Sequence, residues 1–191
     1  MTPDVGDPAP DALILDGDNR PIRLASCWEA QPTVVAFLRY FGCPFCQAQV
    51  VALREDHARF ADLGARIVLI GQGTPTDCAE FCSRTHVEFD VFVDPERVAF
   101  RAFGLAEGTF MQIAGPAVTL PWMKLEMKKE TRQHGLRGGS FMQMPGTFLV
   151  DDAGIVRFAH RNRHVADSPR NQAMLDVLSN MGAYSGDERS S

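Results

Sequence analysis

The chain has 191 residues, 45% apolar and 23% charged, the composition of one globular domain rather than of a disordered or fibrous chain. A net charge of −5 offers no basic face to phosphate, which argues against nucleic acid as a main partner. The longest apolar run, Thr33 to Leu38, is far short of the roughly 20 residues that a membrane-spanning helix needs. Five cysteines at low density do not make a secreted disulfide framework. Met1–Ala12 carry Asp4, Asp7, Asp11 and three prolines, with neither the basic nor the apolar segment of a secretory leader. The expectation is a cytoplasmic protein with no membrane partner: one domain over residues 1–182 and a polar tail at 183–191.

In chain order, a first strand pair is predicted at Asp11–Leu15 and Pro21–Leu24 around the turn Asp16-Gly17-Asp18-Asn19. Thr33–Leu38, apolar and rich in β-branched residues, suits a central strand buried on both faces. Pro44 then opens a helix that the spacing of Val50, Leu53, His57 and Phe60 carries to about Leu63, with Gly64 as its stop. Arg66–Gly71 is the next strand. Thr74-Pro75 open a helix bearing Cys78 and Cys82, Phe89–Val93 is a short strand, and Val98–Phe103 is helical after the turn Asp94-Pro95-Glu96.

Residues 104–144 interrupt this alternation with a predicted helix over Ala117–Gln133 and a glycine-rich loop, Gly135–Gly139. They are too few for a second domain and read as an insertion that covers something. Thr147–Val150 and Ile155–Ala159 flank Asp151-Asp152-Ala153-Gly154 as a β-hairpin. Ser168-Pro169 cap a last helix through about Met181. The order of elements is that of an α/β sandwich, helices packed on a central sheet, with a helical insertion before the late hairpin.

Cys43-Pro44-Phe45-Cys46 carries the chemistry. At the mouth of a helix, free N–H groups and the positive end of the dipole stabilise a thiolate at Cys43, and Cys46 one turn along can close a disulfide on it. This makes Cys43 the candidate nucleophile and Cys46 the resolving thiol. Arg39, four residues earlier, would stabilise the thiolate or a peroxide if strand parity turns it that way. Cys78 and Cys82, at i and i+4, either complete a four-cysteine zinc site with Cys43 and Cys46 or are small buried apolar residues; no metal or cofactor is called for. Cys27 reads as packing and His57 as a helix-face residue. His160, Arg161, Arg163 and His164 form either an anion site or a solvated loop.

Asp4-Val5-Gly6-Asp7-Pro8-Ala9-Pro10, the segment Phe37 to Cys46, Gly146-Thr147-Phe148-Leu149-Val150-Asp151 and the segment His160 to Asp167 resemble the peroxiredoxin-like branch of the thioredoxin superfamily, the group of alkyl hydroperoxide reductase and thiol-specific antioxidant proteins. The resemblance implies a three-layer α/β/α thioredoxin-like fold with a mixed sheet, and a cis-Pro145 facing the cysteines. It also implies a substrate surface formed by the Met144 backbone together with Tyr40, Phe41, Pro44 and Phe45. Its implied partners are a peroxide or disulfide substrate and a reductant of the thioredoxin or glutathione type; a homodimer is compatible with it. The departures are specific. Ala36 and Tyr40 stand where the peroxiredoxin signature has proline and threonine, and Pro145 stands where its late arginine lies. Arg39 or Arg137 is left to supply a guanidinium. The function expected is a thiol peroxidase or reductase cycling Cys43 and Cys46; the alternatives are a disulfide or endoperoxide reductase and a non-catalytic redox switch.

Overall fold

The computed structural model describes residues 2–126 and 139–187. Seven strands form one sheet in the order β2-β1-β5-β4-β3-β6-β7. They are β1 (Leu13–Leu15), β2 (Pro21–Arg23), β3 (Thr33–Leu38), β4 (Arg66–Gly71), β5 (Asp90–Val93), β6 (Gly146–Val150) and β7 (Val156–Arg161). β3, β4 and β5 run parallel, β6 pairs antiparallel with β3, and β1–β5, β1–β2 and β6–β7 are antiparallel. The sheet is therefore mixed, as expected.

All six residues of β3 are buried. Because side chains alternate across a strand, β3 feeds two cores. Val34, Ala36 and Leu38 enter one with Ile67 and Leu69 of β4; Val35 and Phe37 enter the other with Val68 and Ile70. Helices α1 (Pro44–Glu55), α3 (Pro75–Thr85) and α7 (Asn171–Asp187) cover the first core through Val50 and Leu53, Phe81, and Met174, Leu175 and Leu178. A 3₁₀ turn at Leu24–Cys27 and α4 (Val98–Ala102) cover the second, where the rings of Phe37, Phe100, Phe103 and Phe148 meet at centroid distances of 4.8–5.9 Å. Each such side chain is worth about 1.5–3 kcal/mol when fully buried, so the two-faced apolar pattern decides the layering.

Three boundaries differ from expectation. The helix after Pro44 breaks at Asp56, giving α1 and a short α2 (His57–Asp62). The Asp56 carboxylate accepts from Arg59 Nη1 and Asn171 Nδ2, and Asn171 Nδ2 also donates to the Ala52 carbonyl, which it shares with the long 3.3 Å ladder bond from Asp56 N–H. The tertiary contact with α7 outweighs helical periodicity. The last helix begins at Asn171, not at Ser168, and continues to Asp187, into residues expected to be tail. In the insertion, α5 (Phe110–Ala114) precedes α6 (Pro116–Glu126); the expected extension of α6 to Gln133, Arg137 and most of the glycine-rich loop lie outside the described residues.

Candidate active site

β3 delivers the chain to Leu38, residues 39–42 turn it, and α1 departs from Cys43, which occupies the helix N-cap with Pro44 in the first turn. The N-cap conformation (φ −71°, ψ 118°) turns the Cys43 sulfur back over the helix entrance, where it accepts from the backbone N–H groups of Phe45 and Cys46. Both sulfurs are reduced, Cys43 is fully buried and Cys46 very nearly so.

Arg39 settles the parity question. Its guanidinium lies against Cys43, with Nη1 to Sγ at 3.7 Å, and its backbone N–H donates to Cys46 Sγ at 3.3 Å. Burial alone would push the Cys43 thiol up. The Cys46 thiol hydrogen bond, the Arg39 charge and the two helix N–H groups outweigh it and hold Cys43 down to about 6. Cys46 moves the other way, raised by burial, by donating its proton to Cys43 and by the charge it faces. The two thiols are thus pushed in opposite directions, Cys43 towards the thiolate and Cys46 towards the protonated thiol, the division that a nucleophile and a resolving group would need.

The guanidinium is itself caged. Nε donates to Gln143 O at 3.1 Å and Nη2 to Phe141 O, and the plane packs on the rings of Tyr40 and Phe141 with centroids at 5.2 and 4.8 Å. Gln72, fully buried just after β4, donates to Arg39 O and to Ser140 O and accepts from Ser140 N–H. Gly139 sits against that amide at φ +87°, where a Cβ would collide with Gln72. The Gln143 side chain in turn donates to Leu105 O and Met144 O. Gln72, Gln143 and Phe141 escape sequence reading because an isolated glutamine or phenylalanine carries no motif; a polar Gln72 directly after an apolar strand is the one visible hint.

The other candidates divide. Tyr40 and Phe45 flank the cysteines, and each pairs with an aromatic ring of the insertion, Tyr40 with Phe141 at 6.2 Å and Phe45 with Trp122 at 5.7 Å. Pro44 is half-buried beside them. Phe41 instead turns into the core and stacks on Phe81 at 4.9 Å, packed against Gly71, so it supports the loop rather than facing substrate. Pro145 is trans, not cis, since the described residues hold no cis peptide bond. The flanking peptide groups are already engaged in the trans arrangement, Met144 N–H with Ala106 O and Pro145 O with Asn162 N–H, and trans is the intrinsically favoured isomer. With Met144 O also taken by Gln143, the backbone grip expected at Met144 is occupied within the chain.

The four-cysteine zinc site does not assemble. No cluster of three or more His, Cys, Asp or Glu side chains suited to a metal occurs among the described residues. Cys27 is buried and its thiol is pushed up by burial to about 11, as packing requires. Most of the basic run at the end of β7 is engaged within the chain: Arg161 packs on Phe148 and donates to Phe103 O and Pro3 O, Arg163 pairs with Asp167, and His160 bonds Asp167 O, while His164 Nδ1 is buried with no hydrogen-bond partner among the described residues. His57 packs edge-on to Phe89. It also borders a polar cleft of about 240 Å³ with Arg66, Glu88 and Asp90, at the end of the sheet opposite Cys43. No helix among the described residues is long and apolar enough to cross a membrane.

Comparison with known proteins bears on the fold and the family. The chain is 23% identical over 187 residues to human (Homo sapiens) peroxiredoxin-like 2C, covering 92% of this chain and 83% of that one. It is 26% identical over 165 residues to prostamide/prostaglandin F synthase of Salmo salar, covering 83% and 78%. The fold matches the crystal structure of peroxidoxin BcpB from Mycobacterium tuberculosis with a TM-score of 0.69 at 18% identity, over 93% of this chain and 97% of that one. The family model for the AhpC/TSA antioxidant enzymes matches residues 52–164, a stretch that begins just after the cysteine pair. The chain belongs to the AhpC/TSA antioxidant enzyme family and is a peroxiredoxin-like, thiol-dependent oxidoreductase of the thioredoxin superfamily.

Proposed function

We propose that the protein is a thiol peroxidase in which Cys43 is the nucleophile and Cys46 the resolving thiol. The observation that carries this reading is the Arg39 guanidinium at 3.7 Å from Cys43 Sγ, beside the helix N–H groups. The Cys43 thiolate attacks the distal peroxide oxygen, the O–O bond breaks, and the leaving alkoxide takes a proton to give an alcohol, leaving Cys43 as sulfenic acid. Cys46 then attacks that sulfur, a water molecule leaves, and the Cys43–Cys46 disulfide forms. A thiol donor, one dithiol of the thioredoxin type or two monothiols of the glutathione type, returns both sulfurs to the reduced state and is itself oxidised to a disulfide. Arg39, whose charge lies within reach of the breaking O–O bond, takes the place of the guanidinium lost at Pro145.

Peroxides fit this site better than protein disulfides do. Both sulfurs are buried, and the Met144 backbone that would hold an extended chain is already paired. Exposed Trp122, packed on Phe45, and Phe141, packed on Tyr40 and Arg39, favour a bulky apolar peroxide over hydrogen peroxide, a preference supported by similarity to an enzyme named for prostaglandin chemistry. The test is peroxide-dependent consumption of a thioredoxin-coupled reductant, with cumene hydroperoxide against hydrogen peroxide. Turnover lost in Cys43→Ser is expected; turnover with neither peroxide would contradict the reading and leave the disulfide as a switch.

A further inference from the structure

The oxidoreductase chemistry leaves one pair of sulfurs unused. Cys78 and Cys82 stand one turn apart on the same face of α3. Cys78 is buried against the sheet, with its sulfur 3.6 Å from Val91 O, while Cys82 is half-buried and reaches towards solvent. The neighbouring sulfurs push each other's pKa apart, Cys78 up and Cys82 down.

Helical spacing restricts what this pair can do. Residues at i and i+4 hold their Cβ atoms about 5–6 Å apart, whereas a disulfide draws them to about 3.5–4.5 Å. Closing Cys78–Cys82 would therefore unwind a turn of a helix that is capped at both ends, by the Thr74–Asp77 capping box and by His86 in the left-handed conformation. A single metal atom between the sulfurs relaxes this constraint, since two metal–thiolate bonds of about 2.3 Å, the zinc value, let the sulfurs stand up to about 4.6 Å apart rather than the ~2.05 Å of an S–S bond. The ligand count then selects the atom. No third His, Cys, Asp or Glu joins the pair among the described residues, so a four-coordinate zinc ion is not satisfied here, whereas soft monovalent copper accepts two thiolates.

We propose that Cys78 and Cys82 form a second sulfur site, separate from Cys43 and Cys46, that binds one two-coordinate thiophilic ion of the monovalent copper type. Binding displaces both thiol protons and forms two copper–sulfur bonds with no change of oxidation state. Half-buried Cys82 admits the ion and Cys78 anchors it.

The experiment uses the full chain as the double variant Cys43→Ser/Cys46→Ser, which removes the competing dithiol. Monovalent copper is titrated anaerobically against bicinchoninate. One equivalent bound per chain is expected, with two sulfur neighbours at the metal by X-ray absorption and at least a tenfold loss of affinity on adding Cys82→Ser. Because Cys82 is half-buried, that variant should keep the wild-type circular dichroism spectrum; Cys82→Ala serves as a second version. Failure to bind, copper retained in both Cys82 variants, or equally tight binding of divalent zinc would each overturn the proposal. So would a Cys78–Cys82 disulfide formed under mild oxidation with α3 intact.

Discussion

One residue addresses both reactive sulfurs: Arg39 places Nη1 3.7 Å from Cys43 Sγ and donates its backbone N–H to Cys46 Sγ at 3.3 Å. The same guanidinium donates to Phe141 O and Gln143 O of the insertion. The charge beside the Cys43 sulfur is therefore held in place by the segment that interrupts the fold.

Replacing Arg39 by Met should raise the Cys43 pKa. With Arg39 present the thiolate forms as pH rises through about 6. Without it, loss of a charge-assisted interaction of about 1.5–3 kcal/mol corresponds to an upward shift of roughly one to two units. Iodoacetamide reactivity against pH, measured in a Cys46→Ser background, gives the midpoint directly. The variant should also be less stable, because Phe141 O and Gln143 O lose their donor.

Mild oxidation should close Cys43–Cys46 and leave Cys27, Cys78 and Cys82 as thiols. The first pair alone combines a thiolate with a protonated partner one turn along at a helix entrance. Differential alkylation followed by peptide mass mapping distinguishes the pairs.

Gln72→Ala should weaken the site without touching either sulfur. Gln72 ties Arg39 O to the Ser140 backbone, so its loss frees both the Arg39 backbone and the loop that carries Phe141 O. A rise in the Cys43 alkylation midpoint is expected, with destabilisation of about 1–3 kcal/mol from the buried groups left unpaired. Destabilisation with an unchanged midpoint would mean that Gln72 is purely structural.

Stability should fall with alkaline pH partly through Cys27. Its folded pKa is raised to about 11, above the roughly 8.5 of an unfolded cysteine. Between those values the unfolded chain releases a proton that the native chain keeps, so this contribution is full below pH ~8.5 and is lost as pH rises towards 11. Chemical denaturation at pH ~8 and ~10 should show wild type losing about 1–2 kcal/mol more than Cys27→Ala.

The layering was legible in the sequence because Thr33–Leu38 and Arg66–Gly71 are apolar on both faces, and adjacent strands of that kind need cover on both sides of the sheet. Cys43 and Cys46 were legible because a helix-entrance Cys-Pro-Phe-Cys has few other uses. What could not be read came from long-range contacts. The break at Asp56 involves Asn171, more than 100 residues away; the backbone flanking Pro145 is taken by Ala106 and Asn162; and the cage around Arg39 depends on Gln72 and on carbonyls at 140–143. Arg39 was recognisable as a candidate, but its orientation became definite only with the structure.

Single-turnover oxidation followed by intact-protein and peptide mass spectrometry tests the central claim most directly. Reduced wild-type protein mixed with one equivalent of cumene hydroperoxide should lose two hydrogens as a Cys43–Cys46 disulfide, and Cys46→Ser should gain one oxygen on Cys43. Oxidation that settles on another cysteine, or peroxide consumption that survives in Cys43→Ser, would contradict the account.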